Sequence, residues 1–388
     1  MGKSVNRKEI PTPILRKLYA ESMGRCMNPA CRIELFGNGG DIGEKAHIDA
    51  YCETEDNSFS NLVILCPNCH KKYDKLHEYT DEEVRNWKKD REKLFKSIFE
   101  KKYATFDDLK ERVVPLLEKN KIIFENYYLG DNKNLWDDFQ DVIISNNLQL
   151  KEILNANLHL FQNYKIDEYS NLHLINKFIA HIDEFEITRE EKEKQRSILF
   201  PKEIESIFGI NPIKGRFFLY AETIESLISI LKDKKTFSSV NLGVNNPYIK
   251  LNNGEYIFLN DAPRLRQVFH DNNVKYASSG LRFESLNFVL KYLNDRNIKY
   301  SFSSEESIKS VFINNDEYLF VYEYCLSKEY LQRILPKPNI TIVNLHHWND
   351  NLCISKDARS LAEDLEVKLL TQKEFFDYVK KYRNNRNN

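Results

Sequence analysis

The chain has 388 residues, 41% hydrophobic content and a net charge of −1, enough to bury two or three separate cores rather than one. No run of eighteen apolar residues and no apolar leader follows the N-terminus MGKSVNRKEIPTPILRK, which argues against membrane insertion and secretion and for a cytoplasmic protein. The near-zero net charge conceals an uneven distribution: residues 1–33 carry seven Lys/Arg against two acids and residues 85–102 eight against three, whereas residues 104–200 carry eighteen acids against twelve bases.

In chain order, residues 1–103 hold two close cysteine pairs and end in the polar helix TDEEVRNWKKDREKLFKSIFEKK, which opens on a cap at Thr80 with Glu83 three residues later. Residues 104–212 read as a helical region, with apolar residues at helical spacing in FDDLKERVVPLLEKNKIIFENY and LINKFIAHIDEFEI. The charge-rich ITREEKEKQRSILFP follows, then a short helix in FPKEIESIFGINP, stopped at Gly209 and Pro212. From 213 to 388, β-rich runs (RFFLYAE, SSVNLGV, the hairpin-like YIKLNNGEYIFL, IKYSF, DEYLFVYEYCL, NITIVNL, VKLL) alternate with helical ones (TIESLISILKD, LRFESLNFVLKYLND, SKDARSLAEDL, QKEFFDYVKKY). APRLRQVFHD belongs to the same series. This pattern predicts an α/β domain with a mixed sheet, and hence an α+β multidomain chain.

The odd count of seven cysteines, with Cys26/Cys31 and Cys66/Cys69 closely paired, points to metal rather than disulfides in a reducing compartment. Two such knuckles joined by a longer loop suit a closed tetrahedral zinc, a structural staple with no open position for chemistry. Cys52, Cys325 and Cys353 remain and read as buried thiols.

Between and after the knuckles runs GEKAHIDAYCETEDNSFSNLVILCPNCHKKYD. Over roughly residues 18–92 the chain resembles the HNH family of the ββα-metal superfamily, in the branch with a GExAHI strand and a CxxCHxxxD helix start. The resemblance implies a metal-dependent endonuclease acting on DNA, with His47, Asn61 and His70 on the family's catalytic positions. His47 is the implied base, since an imidazole accepts a proton near neutral pH. His70 and Asp74, four apart at a helix start, share one face and form the implied pair of ligands for a catalytic divalent cation such as Mg²⁺. Asn61 would orient the His47 strand through backbone contacts. Many members carry an acid or histidine immediately before the first histidine, where this chain has Ala46; Glu44, two residues earlier on the same strand face, is the substitute ligand. Arg16, Lys17, Arg25, Lys71 and Lys72 are candidate phosphate contacts.

A bare HNH module cuts with little selectivity, which leaves the rest of the chain to decide where or when it acts. The architecture resembles bacterial anti-phage effectors in which such a module joins an APAZ-like or SAVED-like region. That implies activation by a short Argonaute-like partner or a cyclic-nucleotide signal, with homo-oligomerisation on activation. The alternative is a restriction endonuclease whose C-terminal domain reads DNA directly. The run from LRFESLNFVLKYLND to QKEFFDYV resembles a Mrr-type restriction fold made degenerate, because Glu323-Tyr324-Cys325 lacks the lysine of an acid-x-lysine pair. A third reading is a zinc-ribbon adaptor with vestigial site residues.

Overall fold

A computed structural model describes residues 8–37, 40–128, 133–166, 169–187, 202–215, 218–304, 306–346 and 350–382. The charge-rich segment 188–201, His347 and the Asn/Arg-rich end of the chain lie outside the described residues. The protein is α+β and divides into two units: Met1–Tyr164 with Tyr169–Asn211, and Lys165–Glu168 with Pro212–Asn388.

The first unit opens with α1 (Thr12–Ser22), entered through Pro11 and Pro13 and ended by Met23 in the left-handed region at φ 53°. Two residue pairs, β1 (Phe36–Gly37) and β2 (Gly40–Asp41), form a minimal antiparallel ladder. The strands that matter for the site are β3 (Glu44–His47) and β4 (Leu62–Leu65), paired antiparallel with Glu44 opposite Leu65 and His47 opposite Leu62. Between them lie the one-turn helix α2 (Tyr51–Thr54) and a 3₁₀ turn at Phe59–Asn61. Every residue of β4 is buried, so the strand is a continuous apolar run rather than an alternating one. Helix α3 (Pro67–Asp74) starts at once, with Cys66 as N-cap and Pro67 at the first helical position, where its missing N–H costs nothing. Helix α4 (Asp81–Phe99) carries the Thr80–Glu83 capping box expected from the sequence.

The helical region follows as α5 (Phe106–Ile123), α6 (Lys133–Ala156), α7 (Asn171–Ile187) and the short helix Lys202–Ile207. In α5 the buried Phe106, Leu109, Val113 and Leu117 recur at the helical period. They join Leu150, Ile153, Phe161, Phe178 and Phe208 in one core. A second core gathers Leu18, Met27, Leu35, Ile48, the β4 residues and Val84 around the cysteine knuckles. Helix α1 serves both, with Leu18 and Tyr19 in the knuckle core and Ala20 in the helical one. Residues 1–103 and the helices after them therefore share a unit.

The second unit holds a three-stranded antiparallel sheet, β5 (Phe237–Asn241), β6 (Tyr248–Leu251) and β7 (Tyr256–Phe258). The NNGE turn of its hairpin has Gly254 at φ 89°, a conformation open to glycine without strain. A five-stranded mixed sheet has the order β12-β11-β10-β9-β8. Here β8 (Ser301–Phe302), β9 (Ser310–Ile313) and β10 (Asp316–Val321) form an antiparallel meander, and β11 (Thr341–Asn344) and β12 (Lys368–Thr371) continue parallel to β10. Strand β9 is absent from the sequence reading. It is set by a two-residue turn, Asn314 and Asn315, both at positive φ (51° and 71°), the geometry whose twist matches a hairpin. Conversely, RFFLYAE does not form the expected strand among its described residues. Tyr220 makes a single bridge to Arg282, and only Ala221 and Glu222 belong to the helix Ala221–Asp233, which buries Ile224, Leu227, Ile228 and Leu231.

Candidate metal and catalytic centre

The four paired cysteines converge as their spacing requires. Cys26 and Cys31 flank the turn after α1; Cys66 caps α3 and Cys69 lies in its first turn. All four sulfurs lie within 4.8 Å of one another, the only group of three or more potential ligands so gathered among the described residues. The Cys31–Cys66 separation is 3.8 Å, which matches the edge of about 3.8 Å of a tetrahedron built on bonds of roughly 2.3 Å to zinc. Backbone and amide donors point at the sulfurs, Cys66 N–H at Cys26 Sγ (3.3 Å) and Asn28 Nδ2 at Cys69 Sγ (3.5 Å). Burial pushes the Cys26 thiol up to about 11 and raises Cys69 as well, whereas the exposed Cys31 is lowered, chiefly by the Ile33 backbone N–H. Thiolates in so buried a place need a cation to balance them. The cluster therefore fits a metal such as zinc.

The remaining cysteines differ from the sequence reading in part. Cys353 is buried, but Cys52 and Cys325 are exposed. Cys52 sits on the solvent side of one-turn α2 and Cys325 in the loop after β10, and neither segment is long enough to cover its side chains.

Next to the cysteine cluster, β3 and α3 bring two of the predicted residues into direct contact: Glu44 Oε2 lies 2.6 Å from His70 Nδ1. Ala46, the residue before His47, is 2% exposed and packed in the knuckle core, where a larger acidic side chain would not fit without displacing its neighbours. Asp74, the last residue of α3, is exposed and is not gathered with Glu44 and His70 into a three-ligand group. A helix delivers positions four apart to one face, but here the C-terminal one ends in solvent.

His47 closes β3. Its Nε2 is 2.9 Å from Asn57 Oδ1, and its ring packs 5.2 Å from that of Tyr51. Because Asn57 Nδ2 donates to the Lys8 carbonyl (3.1 Å), the Asn57 oxygen faces the imidazole. In that orientation Asn57 Oδ1 is placed to accept from Nε2–H, the tautomer whose lone pair is on Nδ1. Asn61, 2% exposed, clamps the loop after β3: its Oδ1 accepts from Asp49 N–H (2.7 Å), and its Nδ2 donates to the carbonyls of Asp49 and Asp56 (both 3.0 Å). Tyr73 O–H donates to the Ile48 carbonyl (2.9 Å), and Arg85 pairs with Asp49 (2.7 Å). Asn57, Tyr73 and Arg85 were not legible in the sequence, where nothing local separates them from ordinary polar residues.

The predicted phosphate contacts divide. Lys71 and Lys72 are exposed on α3, with Lys72 ion-paired to Glu78 (2.9 Å). On α1, Lys17 is exposed and Arg16 half-buried. Arg25 does not join them; it lines a cavity with Arg32, Arg91, Arg112 and Lys119. No family model matches the chain, and no curated protein or solved structure matches it.

Proposed function

We propose that the first unit is a metal-dependent HNH endonuclease that hydrolyses DNA phosphodiester bonds, and that the C-terminal region regulates it as the effector of an anti-phage system. The observation that carries this reading is the contact between Glu44 and His70 on an antiparallel strand pair and its following helix, with His47 at the end of the same strand and a four-cysteine cluster beneath. The arrangement suits in-line attack by water. His47 Nδ1 takes the proton from the attacking water while Asn57 holds the ring in the required tautomer. Glu44 and His70 would hold a divalent cation, which when bound supplies charge neutralisation at the scissile phosphate. Asn61 keeps the His47 strand in register with the loop behind it. Exposed Lys17, Lys71 and Lys72 supply sequence-independent attraction to the backbone.

In the second unit, Glu323-Tyr324-Cys325 follows β10 without a lysine, and Lys309, just before β9, is paired with Glu222 and Glu225 (both 3.2 Å). That favours recognition over cutting as its task, through a short Argonaute-like partner or a nucleotide signal. The test is plasmid cleavage with Mg²⁺ or Mn²⁺ by His47→Ala, under the activating conditions in which the parent chain cuts. Activity should fall by about 10²- to 10⁴-fold with zinc content and thermal midpoint unchanged. Cleavage at the parent rate by the folded, zinc-loaded variant would remove His47 as the base.

A further inference from the structure

A cavity of about 470 Å³ opens within the first unit, walled by the loop that carries the first cysteine pair and by α4, α5 and α6. Its size falls in the range of small-molecule sites. Five cations line it: Arg25 and Arg32 from the loop, Arg91 from α4, and Arg112 and Lys119 from α5. Among the described residues of the wall, Glu34 is the sole carboxylate.

The usual explanation of such a cluster is a set of internal ion pairs, and it does not hold for four of the five. Among the described residues, Arg25, Arg32, Arg91 and Lys119 form no salt bridge. Arg25 donates to the Arg32 carbonyl (3.4 Å) and the buried Arg91 to the Cys26 carbonyl (3.2 Å). Leaving Arg112 aside, those four cations exceed Glu34 by three charges, and a zinc held by four thiolates, with two net negative charges, would not offset all of them. The remaining like charges repel across a partly desolvated space unless an anion enters. Guanidinium forks match phosphate oxygens in pairs, and a partly enclosed wall strengthens each contact.

The rest of the lining is not basic. Phe36, Leu94 and Leu116 offer apolar surface, and the buried side chains of Asn146 and Gln149 on α6 offer amide groups. An inorganic anion would leave that surface unused.

We propose that this cavity binds a nucleotide-sized phosphorylated anion, its phosphates held by the arginines and Lys119 and its base set against Phe36, Leu94 and Leu116. This goes beyond the nuclease reading and does not rest on it, because binding is measured without cleavage.

The experiment is calorimetric titration of the full, zinc-loaded chain with ATP, and separately with tripolyphosphate, at constant physiological ionic strength. ATP should bind saturably at one site and more tightly than tripolyphosphate. The double variant Arg32→Glu, Lys119→Glu should weaken ATP binding by about 30-fold, the loss of two charge-assisted contacts, with zinc content and unliganded melting temperature held. The single variant Lys119→Gln, which leaves the cysteine loop untouched, should weaken it by about fivefold. Lys89→Glu, on the exposed side of α4 and outside the cavity, should leave it within about twofold. Absence of saturable binding at millimolar ATP would overturn the proposal. So would undiminished binding by Lys119→Gln, an equal loss with Lys89→Glu, tripolyphosphate binding as tightly as ATP, or displacement of ATP by duplex DNA at matched phosphate concentration.

Discussion

Replacing Asn61 with Ala should destabilise the first unit by about 3–4 kcal/mol. The side chain is 2% exposed and makes three hydrogen bonds to main-chain groups of the loop after β3, at 2.7, 3.0 and 3.0 Å. Each removed bond leaves a poorly solvated N–H or C=O, at about 1–1.5 kcal/mol apiece. Against a typical domain stability of about 5–15 kcal/mol, that is a large fraction of the whole. Asn61→Asp should be at least as damaging, because it keeps the acceptor to Asp49 N–H but turns a carboxylate toward two carbonyls. The assay is urea denaturation at saturating zinc, followed by tryptophan fluorescence with Trp136 and Trp348 replaced by Phe, so that the signal is that of Trp87, which packs edge-on against Tyr79 in this unit. The midpoint should drop with the slope preserved. A loss below about 1 kcal/mol for Asn61→Ala would mean that the loop holds itself and that Asn61 is not its clamp.

Three further outcomes follow from the same geometry. Cys69→Ser should abolish tight zinc binding and unfold the knuckle core, since Cys69 is both a ligand and a core residue; wild-type melting of the variant in a zinc chelator would contradict this. Asn57→Ala frees the imbalance between the two tautomers of His47 and should lower cleavage by about tenfold while zinc content holds; unchanged activity would remove its positioning role. The buried pair Glu21–Lys88 (2.8 Å) carries opposite shifts with one cause, burial, which raises the Glu21 carboxyl and lowers the Lys88 ammonium despite their mutual attraction. The folded chain then holds its Glu21 proton above pH 4.5, so this group's contribution to stability falls as pH rises through its elevated value; it releases the Lys88 proton below pH 10.5, so the Lys88 contribution rises with pH just below that value. Glu21→Gln with Lys88→Met should erase both slopes and cost little, whereas Glu21→Ala alone, leaving Lys88 buried, should lose about 3 kcal/mol; a double variant as unstable as the single would refute the argument.

What the sequence determined by itself is what depends on local chemistry. Short cysteine spacings dictate convergence on one centre, a Thr with Glu three residues later dictates a helix start, and apolar residues at helical spacing dictate α5. The short β9 and the helix Lys328–Ile334 escaped because their signals are weak: an Asn-Asn turn and seven residues. RFFLYAE reads as a strand in isolation, but among its described residues it forms only the bridge at Tyr220, because the helix Ala221–Asp233 starts at the next residue.

The tertiary structure alone decided which side chains meet. Glu44 and His70 are twenty-six positions apart and touch because β3 pairs with β4 and α3 follows β4 directly. Asp74, four residues from His70 and a natural partner on a helical wheel, stays in solvent at the end of α3. Arg25 and Lys119 reach one cavity across nearly a hundred residues. Sequence spacing constrains neighbours within a helix or strand to a few ångströms, but contacts between elements follow from how their apolar faces are buried, and that is settled only when the whole unit packs.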